Sequence, residues 1–252
     1  MIIDSHAHLD DEKLKEMNIV ERMFDDGLSR IITIGTNVVH SKNAIEIAEK
    51  NKNIFATVGV HPEYATETTM QDLENIDKLC DHEKVVAVGE IGLDYFYDKS
   101  NKEKQKQIFI KQLEIAHKHG LPVVLHIRDA MGDAIEILKA NKHLLCGGVA
   151  HCYSGSTESA KILIGLGFYI SFSGTITFKS VNRDILNHIP TDKILVETDC
   201  PYLAPEPVRG TINEPKNVLH TARKIADYLD IPFEMFCEII EKNCKSVFKK
   251  LK

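Results

Sequence analysis

The feature that most constrains the fold is a repetition. Eight short runs rich in β-branched and apolar residues recur along the chain: Ile2–Asp4, Arg30–Ile34, Ile54–Val58, Val85–Gly89, Val123–His126, Gly148–Ala150, Tyr169–Phe172 and Ile194–Glu197. Stretches with helical spacing lie between them. Many of the runs are apolar throughout rather than alternating, as strands covered by helices in a parallel sheet should be. Gly or Pro punctuates many junctions, at Gly35, Gly59, Pro62, Gly120, Pro122, Gly155, Gly167 and Pro190. A right-handed βα unit taken eight times closes on itself. The pattern therefore predicts a single (β/α)8 TIM barrel over residues 1–252. A doubly wound open sheet is the alternative.

Two internal helices stand out. One runs from Lys104 to Lys118, with Ile108, Phe109, Gln112, Leu113 and Ala116 on one stripe. The other runs from Asp133 to Asn141, with Ile135 and Leu138. The last stretch, Ile231–Lys252, predicts an extra C-terminal helix beginning near Pro232. Its apolar face is Phe236, Ile239, Ile240, Cys244 and Val247, and it should dock on the barrel exterior. The tail Lys249-Lys250-Leu251-Lys252 reads as a solvated end.

A length of 252 residues suits one such barrel, and 43% hydrophobic residues can fill its core. No apolar run approaches the roughly 18 residues that span a bilayer. The chain reaches Asp4 and His6 at once, without a signal-peptide apolar region. The expected setting is cytoplasmic, with no membrane contact. The six cysteines include no CxxC pair and are expected to be free thiols. Cys152 and Cys200 adjoin candidate ligands and read as small packing residues. A net charge of −6 argues against a protein that coats duplex nucleic acid with a basic surface. It leaves room for a nuclease, because bound divalent cations supply positive charge where it is needed.

Barrel chemistry lies at the C-terminal ends of the strands. There the sequence places His6 and His8 (strand one), Glu90 (strand four), His126 (strand five), His151 (strand six) and Asp199 (strand eight). Residues i and i+2 of a strand share a face, so His6 and His8 can grip one ion together. Each residue alone has a bland reading as a hydrogen-bonded core histidine or a helix cap. Five strand ends all carrying ligand types are harder to explain that way. Six donors exceed what one tetrahedral zinc takes. They fit two divalent metal ions sharing a bridging carboxylate, for which Glu90, from the middle of the ring, is best placed. Mixed imidazole and carboxylate donors suit Zn, Mn, Fe or Ni and tolerate Mg. Such a site lowers the pKa of a water and clamps attacking and leaving oxygens, so the expected reaction is hydrolysis.

The motifs behind these residues resemble those of the TatD family of deoxyribonucleases, within the amidohydrolase-like metal-dependent hydrolases. The matching segments are Ile3-Asp4-Ser5-His6-Ala7-His8-Leu9-Asp10, Gly59-Val60-His61-Pro62-Glu63 and Gly89-Glu90-Ile91-Gly92-Leu93-Asp94-Tyr95. Further on come Leu121-Pro122, His126-Ile127-Arg128-Asp129-Ala130 and His151-Cys152-Tyr153-Ser154-Gly155. The last are Glu197 to Pro205 and Arg209-Gly210-Thr211-Ile212-Asn213-Glu214-Pro215. The resemblance implies a TIM barrel and a divalent-metal-dependent phosphodiesterase acting on DNA. It implies that His6, His8, Glu90, His126, His151 and Asp199 are the metal ligands. Tyr153 and Cys200 depart from the commoner Phe and Ala without altering a donor. Glu90 stands where many superfamily relatives carry a carbamylated Lys, which favours the TatD branch.

Roles follow as expectations. Asp199 and Glu90 are the catalytic carboxylates, with Asp199 the acceptor of the attacking water's proton. Arg209, in the loop after strand eight, His61 and Ser154 are the candidate phosphate contacts. Each has a rival reading: a surface salt bridge for Arg209, turn stabilisation for His61, and the N-cap of a helix from Thr157 for Ser154. Arg128-Asp129 is expected to orient a ligand or loop, and Asn213-Glu214-Pro215 to be structural. Tyr95 and Tyr202 either stack on a base or pack. The expected substrate is a DNA end or other phosphodiester, cleaved 3′ to 5′. An amide, lactone or aminoacyl ester is the alternative. A closed barrel has no sheet edge to pair, which suits a monomer.

Overall fold

In a computed structural model of the chain, which describes residues 1–17, 19, 24, 27–96 and 100–251, eight strands form one parallel sheet in sequence order. They are β1 (Ile2–Ala7), β2 (Leu28–Thr33), β3 (Ile54–Val58), β4 (Val85–Asp94), β5 (Val123–Arg128), β6 (Gly148–Ala150), β7 (Phe168–Phe172) and β8 (Ile194–Val196). The ring closes between its ends. Ala7 bridges Cys200, His8 N–H donates to Cys200 O at 2.8 Å, and Asp199 N–H donates to His6 O at 2.9 Å. The architecture is the TIM barrel.

The strands are buried on both faces, β1 and β4 along their whole length. Their outer faces are covered by α1 (Glu12–Glu16), α2 (Val38–Glu49), α3 (Met70–Leu79), α4 (Lys102–His119), α5 (Met131–Ala140), α6 (Thr157–Gly165), α7 (Val218–Tyr228) and α8 (Phe233–Val247). Local chemistry sets several of the ends. Thr69 and Asp72 form a reciprocal capping box at the start of α3, and Gly120 ends α4 in the left-handed conformation. The β7–β8 crossover departs from the repeat. Among the described residues it carries only 3-10 turns, at Gly174–Thr177, Asp184–His188 and Thr191–Lys193.

The expected C-terminal helix is α8, packed on β1 and β8 with Phe236, Ile240 and Cys244 fully buried. Asn243 fastens it, donating to Thr191 O at 2.9 Å and to Ile194 O at 2.8 Å. It stops at Val247, earlier than the periodicity predicts. Leu251 is buried rather than solvated, and Lys252 lies outside the described residues.

Strands β1, β4 and β5 each run further than the sequence predicts, and the extension of β4 matters most for the site. β4 continues past Gly89 to Asp94 after a register irregularity between Val88 and Ile91. Gly92 makes this possible. Its φ is 141°, and a Cβ there would sit 2.1 Å from His126 O, so only glycine allows β4 to lie this close to β5. Glu90, Gly92 and Asp94 thus run up the strand in step with His126 and Arg128 on β5.

Candidate metal centre

The six sequence-picked donors come together at the C-terminal ends of β1, β4, β5, β6 and β8. Glu90 is their hub. Its Oε2 faces His6 Nε2 at 3.4 Å and His8 Nε2 at 4.0 Å. Its Oε1 faces His151 Nε2 at 2.7 Å and His126 Nδ1 at 2.8 Å. Asp199 stands on the first side, with Oδ1 3.3 Å from His8 Nε2 and 3.6 Å from His6 Nε2. One buried carboxylate therefore presents each of its oxygens to a different pair of imidazoles.

Backbone geometry aims these groups. His6 and His8 leave the end of β1 on one face, at i and i+2. Asp199 adopts φ 56°, a left-handed conformation that Asp tolerates better than most residues, and this turns its carboxylate back over the barrel. Cys152, just after His151, is also left-handed at φ 43°.

Three carboxylates behind the donors are not singled out by sequence. Asp94 Oδ2 lies 2.9 Å from His126 Nε2, so the ring's other nitrogen is the one turned to Glu90. Glu197 accepts from Cys152 N–H and from the Ser171 hydroxyl, each at 2.6 Å. Its Oε1 also lies 3.3 Å from His151 Nδ1, at ion-pair distance but without hydrogen-bond alignment. Asp4 accepts from Thr198 N–H at 2.9 Å and from the Thr198 hydroxyl at 2.6 Å, bracing the turn that carries Asp199. A signal existed: Asp94 shares the β4 face of Glu90, and Glu197 sits two residues before Asp199. Carboxylates that hold the far nitrogen of a ligating histidine are a regular companion of metal sites.

The electrostatics is that of a cluster made for cations. Burial opposes charge on Glu90, yet the charges of His151 and His6 with hydrogen bonds from His126 and His151 hold its pKa well below the usual carboxylate range. Burial is likewise outweighed at Asp199, chiefly by the hydrogen bond with His8, and its pKa is lowered. The His8, His126 and His151 rings are raised above the ordinary imidazole value, because Asp199, Asp94 with Glu90, and Glu90 with Glu197 respectively outweigh burial. His6 goes the other way, lowered by burial and by the charge on His151.

His6 supplies the test of fit for a metal. It is 0% exposed, and both ring nitrogens lack a hydrogen-bond partner. An orphaned imidazole nitrogen at the centre of a barrel is costly. An ion on Nε2, where Glu90 and Asp199 converge, would satisfy that nitrogen. The donor trios His6–His8–Glu90 and His6–His151–Asp199 each have atoms within 4.8 Å of one another, as shared ligation requires. A third trio, His61–Glu90–His126, meets the same distance. The ring of His61 argues otherwise. Glu63 N–H donates to its Nδ1 at 3.2 Å, and burial with the charge of His126 pushes its pKa down to about 3. The neutral ring therefore carries its proton on Nε2, which lies 3.8 Å from Glu90 Oε1. His61 is built to donate into the site, and it also caps the turn at Pro62–Tyr64.

The other candidates lie further out. Arg209 is 61% exposed, with Nη1 3.9 Å from Glu206 Oε1 and its guanidinium 4.4 Å from the Phe178 ring. Ser154 is exposed, and it is not the helix cap. Ser156 caps α6 in a reciprocal pair with Ser159. Asn213 is buried and donates to Thr198 O and Tyr202 O, which gives its segment the expected structural role. Tyr95 packs: it is buried, and its hydroxyl donates to Asp133 at 2.8 Å. The Cys152 thiol is pushed up to about 12 and that of Cys200 well above its usual value, both by burial.

A TIM barrel with an imidazole–carboxylate cluster at its C-terminal mouth defines a metal-dependent hydrolase. Residues 3–249 match the TatD related DNase family, and the chain belongs to it. The metal-dependent hydrolase YabD of Bacillus subtilis is 40% identical to it, with 99% of both chains covered. A relative from Shigella flexneri, the 3′-5′ ssDNA/RNA exonuclease TatD, is 32% identical over 92% of each chain. Among solved structures, the TatD homologue YJJV of Escherichia coli superposes with a TM-score of 0.92 at 29% identity, with 98% of each chain covered.

Proposed function

We propose that this hydrolase is a nuclease that removes nucleotides from the 3′ end of single-stranded DNA with two divalent ions. The carrying observation is the division of Glu90, whose two oxygens face separate pairs of imidazoles. His6, His8 and Asp199 would hold one ion, His126 and His151 the other, and Glu90 both. When bound, the ions supply Lewis acidity and lower the pKa of a water. The Shigella relative's activity supports a polynucleotide substrate.

The chain's own groups divide the remaining work. Asp199, kept ionised by His8, accepts the proton of the attacking water and passes it towards the leaving oxygen. His61 donates its Nε2–H to a phosphoryl oxygen as charge develops there. Ser154 and Arg209, at the rim, contact neighbouring phosphates; the guanidinium fork suits them, and its present partner is a weak, exposed ion pair. A monomer in the cytoplasm completes the reading, supported by the closed barrel and six free cysteines. Among the described residues no helix is long and apolar enough to cross a membrane.

The test is release of mononucleotides from 3′-labelled and 5′-labelled single-stranded DNA. Wild type is compared with Asp199→Ala after chelation and re-addition of Mg, Mn or Zn. Metal-dependent release from the 3′ end, lost in the variant, is the expected result. No release by protein that holds the ions would overturn the nuclease and turn attention to amides and lactones.

A further inference from the structure

Among the described residues three aromatic side chains are largely exposed, Phe96, Tyr202 and Tyr228, and two of them stand beside the metal centre. Phe96 lies two residues beyond Asp94, and its N–H donates to Asp94 Oδ1 at 2.8 Å. Arg128 lies two residues beyond His126, opposite Asp94 in the β4–β5 register. The two are stacked, with the guanidinium carbon 3.7 Å from the Phe96 ring centroid. This pair is the next layer above the Asp94–His126 pair, on the solvent side.

A second pair repeats the arrangement. Tyr202 N–H donates to Asp199 O at 3.0 Å, and its ring meets His8 edge-on at 6.1 Å. The Lys13 ammonium sits 5.6 Å from the ring centroid, within cation–ring range. Strands β4 and β5 face β8 and β1 across an eight-strand ring. The two aromatic–cation pairs therefore flank the centre from opposite sides. Each pairs a flat apolar face with a positive group, as a nucleoside followed by its phosphate requires. Phe96 is 52% exposed and Tyr202 49%, so neither ring is there to fill the core. For a chain of net charge −6, these local cations give a polyanion short, site-centred contacts without a basic surface.

We propose that Phe96 with Arg128 and Tyr202 with Lys13 are two nucleoside clamps, each stacking one base on either side of the scissile phosphodiester of a single strand. The inference rests on the nuclease reading and adds what that reading leaves open: recognition by stacking on two bases, without reading their edges. Stacking of this kind tolerates any base, so the enzyme should degrade mixed sequences at similar rates.

The test measures KM and kcat of Phe96→Leu and Tyr202→Leu on a single-stranded oligonucleotide, and on the same strand with an abasic residue at the terminal or penultimate position. Each variant should raise KM about tenfold on the intact strand, while kcat changes far less. On the strand that lacks its partner base, the same variant should have almost no effect. Tyr202→Phe, which keeps the ring and loses the hydrogen bond to Asp11, should retain most of the wild-type KM. Unchanged KM in both leucine variants overturns the clamps, as does an increase equally large on every abasic strand, which marks a structural role. No release by the wild type overturns the nuclease reading and the clamps together. Release with unaltered variants overturns the clamps alone.

Discussion

Asp94 and His126 are joined by a 2.9 Å contact from carboxylate Oδ2 to ring Nε2, which leaves His126 Nδ1 directed at Glu90 2.8 Å away. The other Asp94 oxygen is already committed to Phe96 N–H. An asparagine has a single oxygen and cannot serve both. Its amide nitrogen would meet the ring or the backbone donor, and the imidazole would lose its preferred tautomer. Asp94→Asn should therefore weaken metal binding by about 10–100-fold, the range seen when such supporting carboxylates are removed. Competition against a chromophoric chelator measures it. Unchanged affinity for Zn and Mn would show that His126 is oriented by packing instead.

Metal uptake should release protons. His8, His126 and His151 have raised pKa values through their carboxylate partners, so the folded, metal-free protein keeps imidazole protons to higher pH than free histidines do, and ligation must displace them. The sign is that of groups whose folded pKa exceeds the unfolded one. Their contribution to metal-free stability is fully present below about pH 6.5 and fades as pH rises through the raised values. Metal affinity should move oppositely and strengthen with pH over that range. Titration calorimetry at pH 7 in two buffers of different ionisation enthalpy reads the proton count directly. Identical heats in both buffers would contradict the shifts.

The barrel and the donor set were legible in the sequence for one reason. Each strand is a short apolar run closed by a breaker, and the residue types at those closures are rarely all ligands by accident. What escaped depends on pairing across strands. The apolar run of β4 closes at Gly89, yet Gly92 lets the strand continue beside β5, which puts Asp94 on the strand rather than in the loop beyond it. Glu197 passed as part of β8, because its contacts with Cys152 and Ser171 come from chain 26 to 45 residues earlier. Ser154 and Ser156 both precede the helix from Thr157, so the sequence leaves Ser154 open as its cap. Ser159, three residues after Ser156, decides it.

Asp4 tests how the turn carrying Asp199 is held. Burial pushes its pKa up to about 8, against the lowering effect of the Thr198 hydrogen bonds. The unfolded value is about 3.9, so the folded state holds this proton more tightly. Its favourable effect on stability is fully present below about pH 4 and is lost progressively as pH rises towards 8. Asparagine keeps one oxygen for Thr198 N–H and offers an amide to the Thr198 hydroxyl, with no charge to bury. In chelator, Asp4→Asn should thus gain on the wild type steadily from pH 4 to 8, with the difference flat above. Urea midpoints at pH 4, 6, 8 and 9, with equal m values for the two proteins, measure this. Parallel pH curves would mean that Asp4 is ionised in the folded protein and that its carboxylate, not its acid, braces the Asp199 turn.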